Sequence, residues 1–160
     1  MNSFINFLIR QVKKLKVEDI EFNKSYYIAT NEGFIHRKIK NYVTRELESL
    51  GYQCTQEKLI FKNDFRKRIA DVYGIKGFIQ VDIEIQHSVI DEYEFKKRFF
   101  DFSIMMIRPI WIFDINLLKK KEMKWLCKLD YIYYFSYIND EIKILDSELE
   151  EISISDIVKY

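Results

Sequence analysis

The stretch that decides the reading is Arg68–Ser88, RIADVYGIKGFIQVDIEIQHS. Its second half, FIQVDIEIQ at 78–86, alternates apolar and polar residues with a period of two, the pattern of a β-strand with unlike faces. Val81, Ile83 and Ile85 point one way, and Asp82, Glu84 and Gln86 point the other. KRIADVY at 67–73 has similar character, and GIKG at 74–77 places glycines at both ends of a tight turn, so a hairpin is expected. Pairing about that turn brings Asp71 near residues 80–82, within a rung or two of Glu84. Two carboxylates on neighbouring strands can hold a hard divalent cation, and magnesium needs few protein ligands beyond one or two carboxylates. The backbone carbonyl of Ile85 offers a further ligand. Gln86 stands alongside, able to orient a water but unable to act as a base. A half-exposed strand without any metal shows the same alternation.

Upstream, YQCTQEKLIF at 52–61 reads as another strand. Before it a helix is expected from Thr30, with Thr30 or Asn31 as cap, carrying Ile35, Ile39, Tyr42, Val43, Leu47 and Leu50 at helical intervals and stopping at Gly51. Glu46 falls on the apolar stripe by its spacing from Ile39 and Val43, and a carboxylate there needs a partner; Glu48 turns outward. Residues 4–16 set Phe4, Leu8, Val12 and Leu15 on one stripe beside Lys13, Lys14 and Lys16, an amphipathic helix suited to packing on the domain or a partner.

Downstream, DEYEFKKRFFDFSIMM reads as a helix with Phe95, Phe99, Phe102 and Met106 on one face, ended by Pro109. IWIFD at 110–114 reads as a buried strand reached by a crossover into the same sheet. A short charged helix near 119–128 and a hairpin around Asn139 and Asp140 complete the chain.

With 160 residues, 48% hydrophobic and 32% charged, the composition excludes disordered and membrane-embedded classes and fits one soluble domain. The N-terminal apolar run is too short for a membrane span or a signal peptide. The net charge of +1 announces no polyanionic partner, so any basic surface must be local, as Arg37, Lys38 and Lys40 with Arg66, Lys67 and Arg68 would make it. Cys54 and Cys127 form no metal-binding pair, and a reducing cytoplasm is the natural location.

The series IHRKIK, RIADVYG, VDIEIQHSVI, EFKKR and PIWIF resembles the nuclease-like domain of the competence protein CoiA family, a branch of the PD-(D/E)XK nuclease superfamily. The resemblance covers roughly residues 32–113 and rests on His36, Lys40, Arg68, Asp71, Glu84, Gln86, Ser88, Arg98 and Trp111 occurring in order, with Glu57 where the family tends to place another Glu. Gln86 stands where the wider superfamily has Lys, as in the CoiA-like branch. The resemblance implies an α/β (α+β) restriction-endonuclease-like core at 30–115, a mixed central sheet flanked by helices, with an N-terminal helical extension at 1–29 and a C-terminal helix and strands at 116–160.

It also implies Mg2+- or Mn2+-dependent hydrolysis of DNA, single- or double-stranded, in recombination, DNA uptake, mobile elements or defence. Asp71 and Glu84 would fix the metal, Gln86 would position the water, and Glu46 or Glu57 would complete the shell. His36, Lys40, Arg68, Ser88, Lys97 and Arg98 would meet the nucleic acid. The alternative is an inactive nuclease-fold module that binds nucleic acid or a protein. No membrane partner is expected, and a homodimer or a protein partner would use the N-terminal helix or the C-terminal hairpin.

Overall fold

The computed structural model describes residues 32–62 and 67–159. The N-terminal amphipathic helix and the Thr30 or Asn31 cap lie outside the described residues. Helix α1 (Glu32–Ser49) carries Ile35, Ile39, Val43 and Leu47 every fourth residue, and all four are buried. That spacing makes one stripe along the helix. It lies on one face of a six-stranded sheet against Val72, Val81, Ile83, Ile85, Ile110 and Ile112, joined by Ile154 and Ile157 of the short C-terminal helix. Burying such side chains stabilises by about 1.5–3 kcal/mol each, an upper figure because unfolded chains are partly compact.

The strands are β1 (Gln53–Lys62), β2 (Lys67–Lys76), β3 (Ile79–Gln86), β4 (Arg108–Asp114), β5 (Tyr133–Ile138) and β6 (Glu141–Leu145). They lie in chain order across the sheet. β1–β2, β2–β3 and β5–β6 are antiparallel, and β3–β4 and β4–β5 are parallel. Helix α2 (Glu92–Ile104) makes the β3-to-β4 crossover, with Asp91 capping it by accepting from the Glu94 amide at 2.8 Å. The β4-to-β5 crossover is made of tight 3-10 turns at Ile115–Lys119 and Lys121–Lys128, in place of the regular charged helix that the sequence suggests. The second face is aromatic: Phe95, Trp111, Phe113 and Trp125 form a cluster whose neighbouring ring centroids are 5.0–6.1 Å apart. Trp111 is therefore a core residue.

Two details of the sequence reading change. The β2–β3 turn is Gly77–Phe78, not the 74–77 segment, because β2 runs on to Lys76, which pairs with Ile79. Gly77, at φ +59°, takes the left-handed first position that a two-residue hairpin turn requires. Gly74 instead lies inside β2, where a Cβ would sit 3.2 Å from Val81, 3.3 Å from Tyr52 and 3.4 Å from Leu47; it lets α1 approach the sheet. Pro109 does not end the preceding helix: α2 stops at Ile104, and Pro109 lies within β4. β4 meets β5 only from Ile112 onward, so the missing N–H of Pro109 interrupts no ladder on that side. Among the described residues no helix is long and apolar enough to cross a membrane.

Candidate active site

The ladder between β2 and β3 runs from Lys76–Ile79 to Val72–Ile83. Continued by one step, it sets Asp71 opposite Glu84, closer than the expected turn would have brought them. Here the ladder opens: the Asp71 carboxylate, not a backbone carbonyl, accepts the Ile85 amide at 2.8 Å. The other oxygen of Asp71 lies 3.5 Å from His36 Nε2, so α1 closes over the opening. On the far side β1 contributes Glu57, between the rungs Gln56–Val72 and Lys58–Ala70, with φ at +53°. A side chain in that region is strained. One ligand atom each of His36, Glu57 and Asp71 lies within 4.8 Å of the others. Glu57 in turn binds Lys40 Nζ, and Lys40 is buried although it is a cation. The α1–β1 seam continues with Gln56, which donates to Asn41 at 3.1 Å and Thr44 at 2.9 Å.

The polar row of β3 is not a wetted face. Asp82 is fully buried and Glu84 is 6% exposed, both beneath α2. Neither oxygen of Asp82, nor Oε1 of Glu84, meets a hydrogen-bond donor of the protein. Burial first, and then the negative charge of Asp71, pushes Glu84 up to about 8. Asp82 is raised well above the usual carboxylate range by burial and then by the charge of Glu84.

The basic residues divide into two kinds. Arg68 is buried, its Nε 2.7 Å from Asp101 and its Nη1 3.8 Å from Glu94, so its head ties β2 to α2 and is not part of an outer basic surface. Its Nη2 has no hydrogen-bond partner. Arg98 is half-exposed, 3.0 Å from Glu94, and near enough to Glu84 to favour its ionised form. Arg68 and Arg98 join Lys67, Ile69, Glu84 and Phe102 around a cavity of about 210 Å³. Lys97 is half-buried on the same helix. Gln86 donates from Nε2 to the Ser88 carbonyl at 2.8 Å and to its hydroxyl at 3.1 Å, which leaves the amide oxygen as acceptor.

Glu46 is not brought to this cluster. It is half-buried on α1, ten residues beyond His36, about 15 Å along a helix axis. The inward stripe advances by four to Leu47, which turns Glu46 aside toward Tyr42. Three residues escaped the sequence reading as members of the site. Asp101 partners Arg68, Asp82 is buried beside Glu84, which helps to raise it, and His87 sets its ring edge-on to His36 at 5.1 Å. The alternation of β3 was the available signal for Asp82; for Asp101 and His87 the chain offers no periodic signal.

The family model of the competence protein CoiA nuclease-like domain matches residues 32–158. The chain belongs to the CoiA nuclease-like family. The match takes in the whole sheet, including the β5–β6 hairpin beyond the segment that carried the resemblance in sequence. No curated protein matches the chain. Among solved structures it is similar to one described as "Crystal Structure of Protein of Unknown Function AF1548", at 14% identity and a TM-score of 0.42. That similarity covers 62% of this chain and 56% of the other.

Proposed function

We propose that this CoiA-like chain is a Mg2+- or Mn2+-dependent deoxyribonuclease. The observation that carries the reading is the Asp71–Glu84 pair. The two residues stand on neighbouring strands one step past the last β2–β3 rung, and Glu84 is buried with one oxygen unpartnered and is driven up to about 8 by burial and by Asp71. A divalent cation between them would relieve both the burial and the repulsion, so these donors suit a hard metal. When bound, such a metal polarises a scissile phosphate and acidifies a water.

The chain's own groups do the rest. The Asp71 carboxylate is oriented by the Ile85 amide, and this backbone unit is the one whose carbonyl is the further candidate ligand. Gln86, anchored through Nε2 on Ser88, directs its amide oxygen to accept a hydrogen bond from the attacking water and so orient it. Arg98 at the rim of the cavity offers a bidentate contact to a phosphate, with Lys67 beside it. His36 holds Asp71 from the α1 side. The chain's proposed service is in recombination, DNA uptake, mobile elements or defence, in the cytoplasm, a reading that the competence-protein family supports.

The inactive-module reading draws its support from Gln86, a neutral side chain at the third motif position. Labelled single- and double-stranded DNA, incubated with wild type or Asp71→Ala in Mg2+, Mn2+ or chelator, separates the two. Cutting that needs metal and Asp71 supports the enzyme. DNA bound but left intact in every metal supports the module.

A further inference from the structure

Resting on the phosphodiesterase reading, we propose that Lys40 supplies the fixed positive charge at the reacting phosphate that Gln86 does not carry. Negative charge builds on phosphate oxygens during transfer, and preorganised cations in a dry site stabilise it most. Gln86 contributes an uncharged amide whose N–H donors turn to Ser88. The buried cations among the described residues are Lys40 and Arg68, and the head of Arg68 is held by Asp101.

Lys40 is on α1 one turn beyond His36, on the side of the helix that meets Asp71. Its Nζ binds Glu57, whose carboxylate lies within 4.8 Å of ligand atoms of both Asp71 and His36. The ammonium is thus one carboxylate removed from the catalytic acids. A buried lysine without a role would ordinarily be replaced by an apolar residue or would reach for water. The left-handed backbone of Glu57 holds its carboxylate under Lys40, and such strain persists where it places a group. Glu57 itself is 57% exposed while the Lys40 side chain is 7% exposed, so the side that Glu57 covers is the one from which a phosphate would meet the ammonium. Glu57 is then a positioning residue, keeping Lys40 Nζ at the site until phosphate oxygens share it.

The test compares wild type, Lys40→Met and Lys40→Met/Gln86→Lys in single-turnover cleavage of labelled DNA with saturating Mn2+. DNA affinity in chelator and thermal melting are measured alongside. Lys40→Met should lose about 100-fold or more in rate, with affinity little changed, and returning the charge from β3 in the double variant should recover a large part. Cutting by Lys40→Met at the wild-type rate overturns the proposal, as does a rate loss matched by an equal loss of affinity, or a double variant no faster than Lys40→Met. Should Lys40→Met lose its melting transition, Lys40→Met/Glu57→Gln, which leaves no carboxylate facing an absent cation, is compared with Glu57→Gln alone. A further large rate loss supports the role, and none overturns it. Wild type that cuts with no metal at all overturns the metal-dependent reading, and wild type that never cuts overturns the nuclease reading itself, before any variant is needed.

Discussion

Asp82 and Glu84 are neighbouring carboxyls buried under α2, and that makes the apo protein sensitive to alkali. Glu84 titrates at about 8 when folded against an ordinary 4.5. Between those values the folded chain keeps a proton that the unfolded chain has released. The stabilisation is therefore fully present below 4.5 and is lost as pH rises through about 8. In chelator, the melting temperature should fall from about pH 5 to about pH 8.5, by about 2–4 °C for each kcal/mol lost. Asp82→Asn keeps a donor to Glu84 and removes the competing charge, so it should melt higher than wild type at the alkaline end and similarly at the acid end. A difference equal at both pH values would place the effect elsewhere. Asp71, Glu84 and Gln86 were legible because alternation fixes which face a strand residue occupies. Depth was not legible: whether that face meets water or a helix is decided by α2, which is distant in sequence from Asp71.

Helix α2 reaches the sheet through polar groups as well as through Phe95 and Phe102. Arg68 and the fully buried Asp101 form the tie, and removing Asp101 would leave the buried Arg68 cation without its nearest carboxylate. Asp101→Ala is expected to destabilise by about 3–5 kcal/mol, read from the midpoint of urea unfolding. Arg68→Ala/Asp101→Ala should cost less than the two single changes added. A loss under about 1 kcal/mol would make the pair a surface-type contact. Elements were legible where one period ruled: α1, β3 and α2 lie where the apolar spacing put them. Turns were less so. Gly74 and Gly77 look alike in the chain, yet one serves a close approach and the other a left-handed φ, and only the neighbouring Tyr52 and Leu47 tell them apart. Glu46 leaves its expected place for a related reason, since a helix of 3.6 residues per turn lets either of two positions claim the stripe.

Across the whole molecule the sheet has two halves joined at β3. The antiparallel half, β1 to β3, pairs neighbours in sequence through short connections, whereas each parallel pairing waits for a long crossover. The order of helix, three strands, helix and strand was legible, but the parallel docking of β5 on β4 was not, because a hairpin signal says nothing about which strand lies beyond it. Local pairing forms faster than non-local pairing. In refolding followed by pulsed hydrogen exchange, amides of β1 to β3 should gain protection before those of β4 and β5; simultaneous protection would refute this order. Asp82 and Glu84 lie on this early half, whereas α2, which covers them, packs Phe95 against Trp111 and Phe113 of β4 as well as tying Asp101 to Arg68 of β2. These carboxylates are thus gathered while still hydrated, and drying them out is left to the final steps of folding.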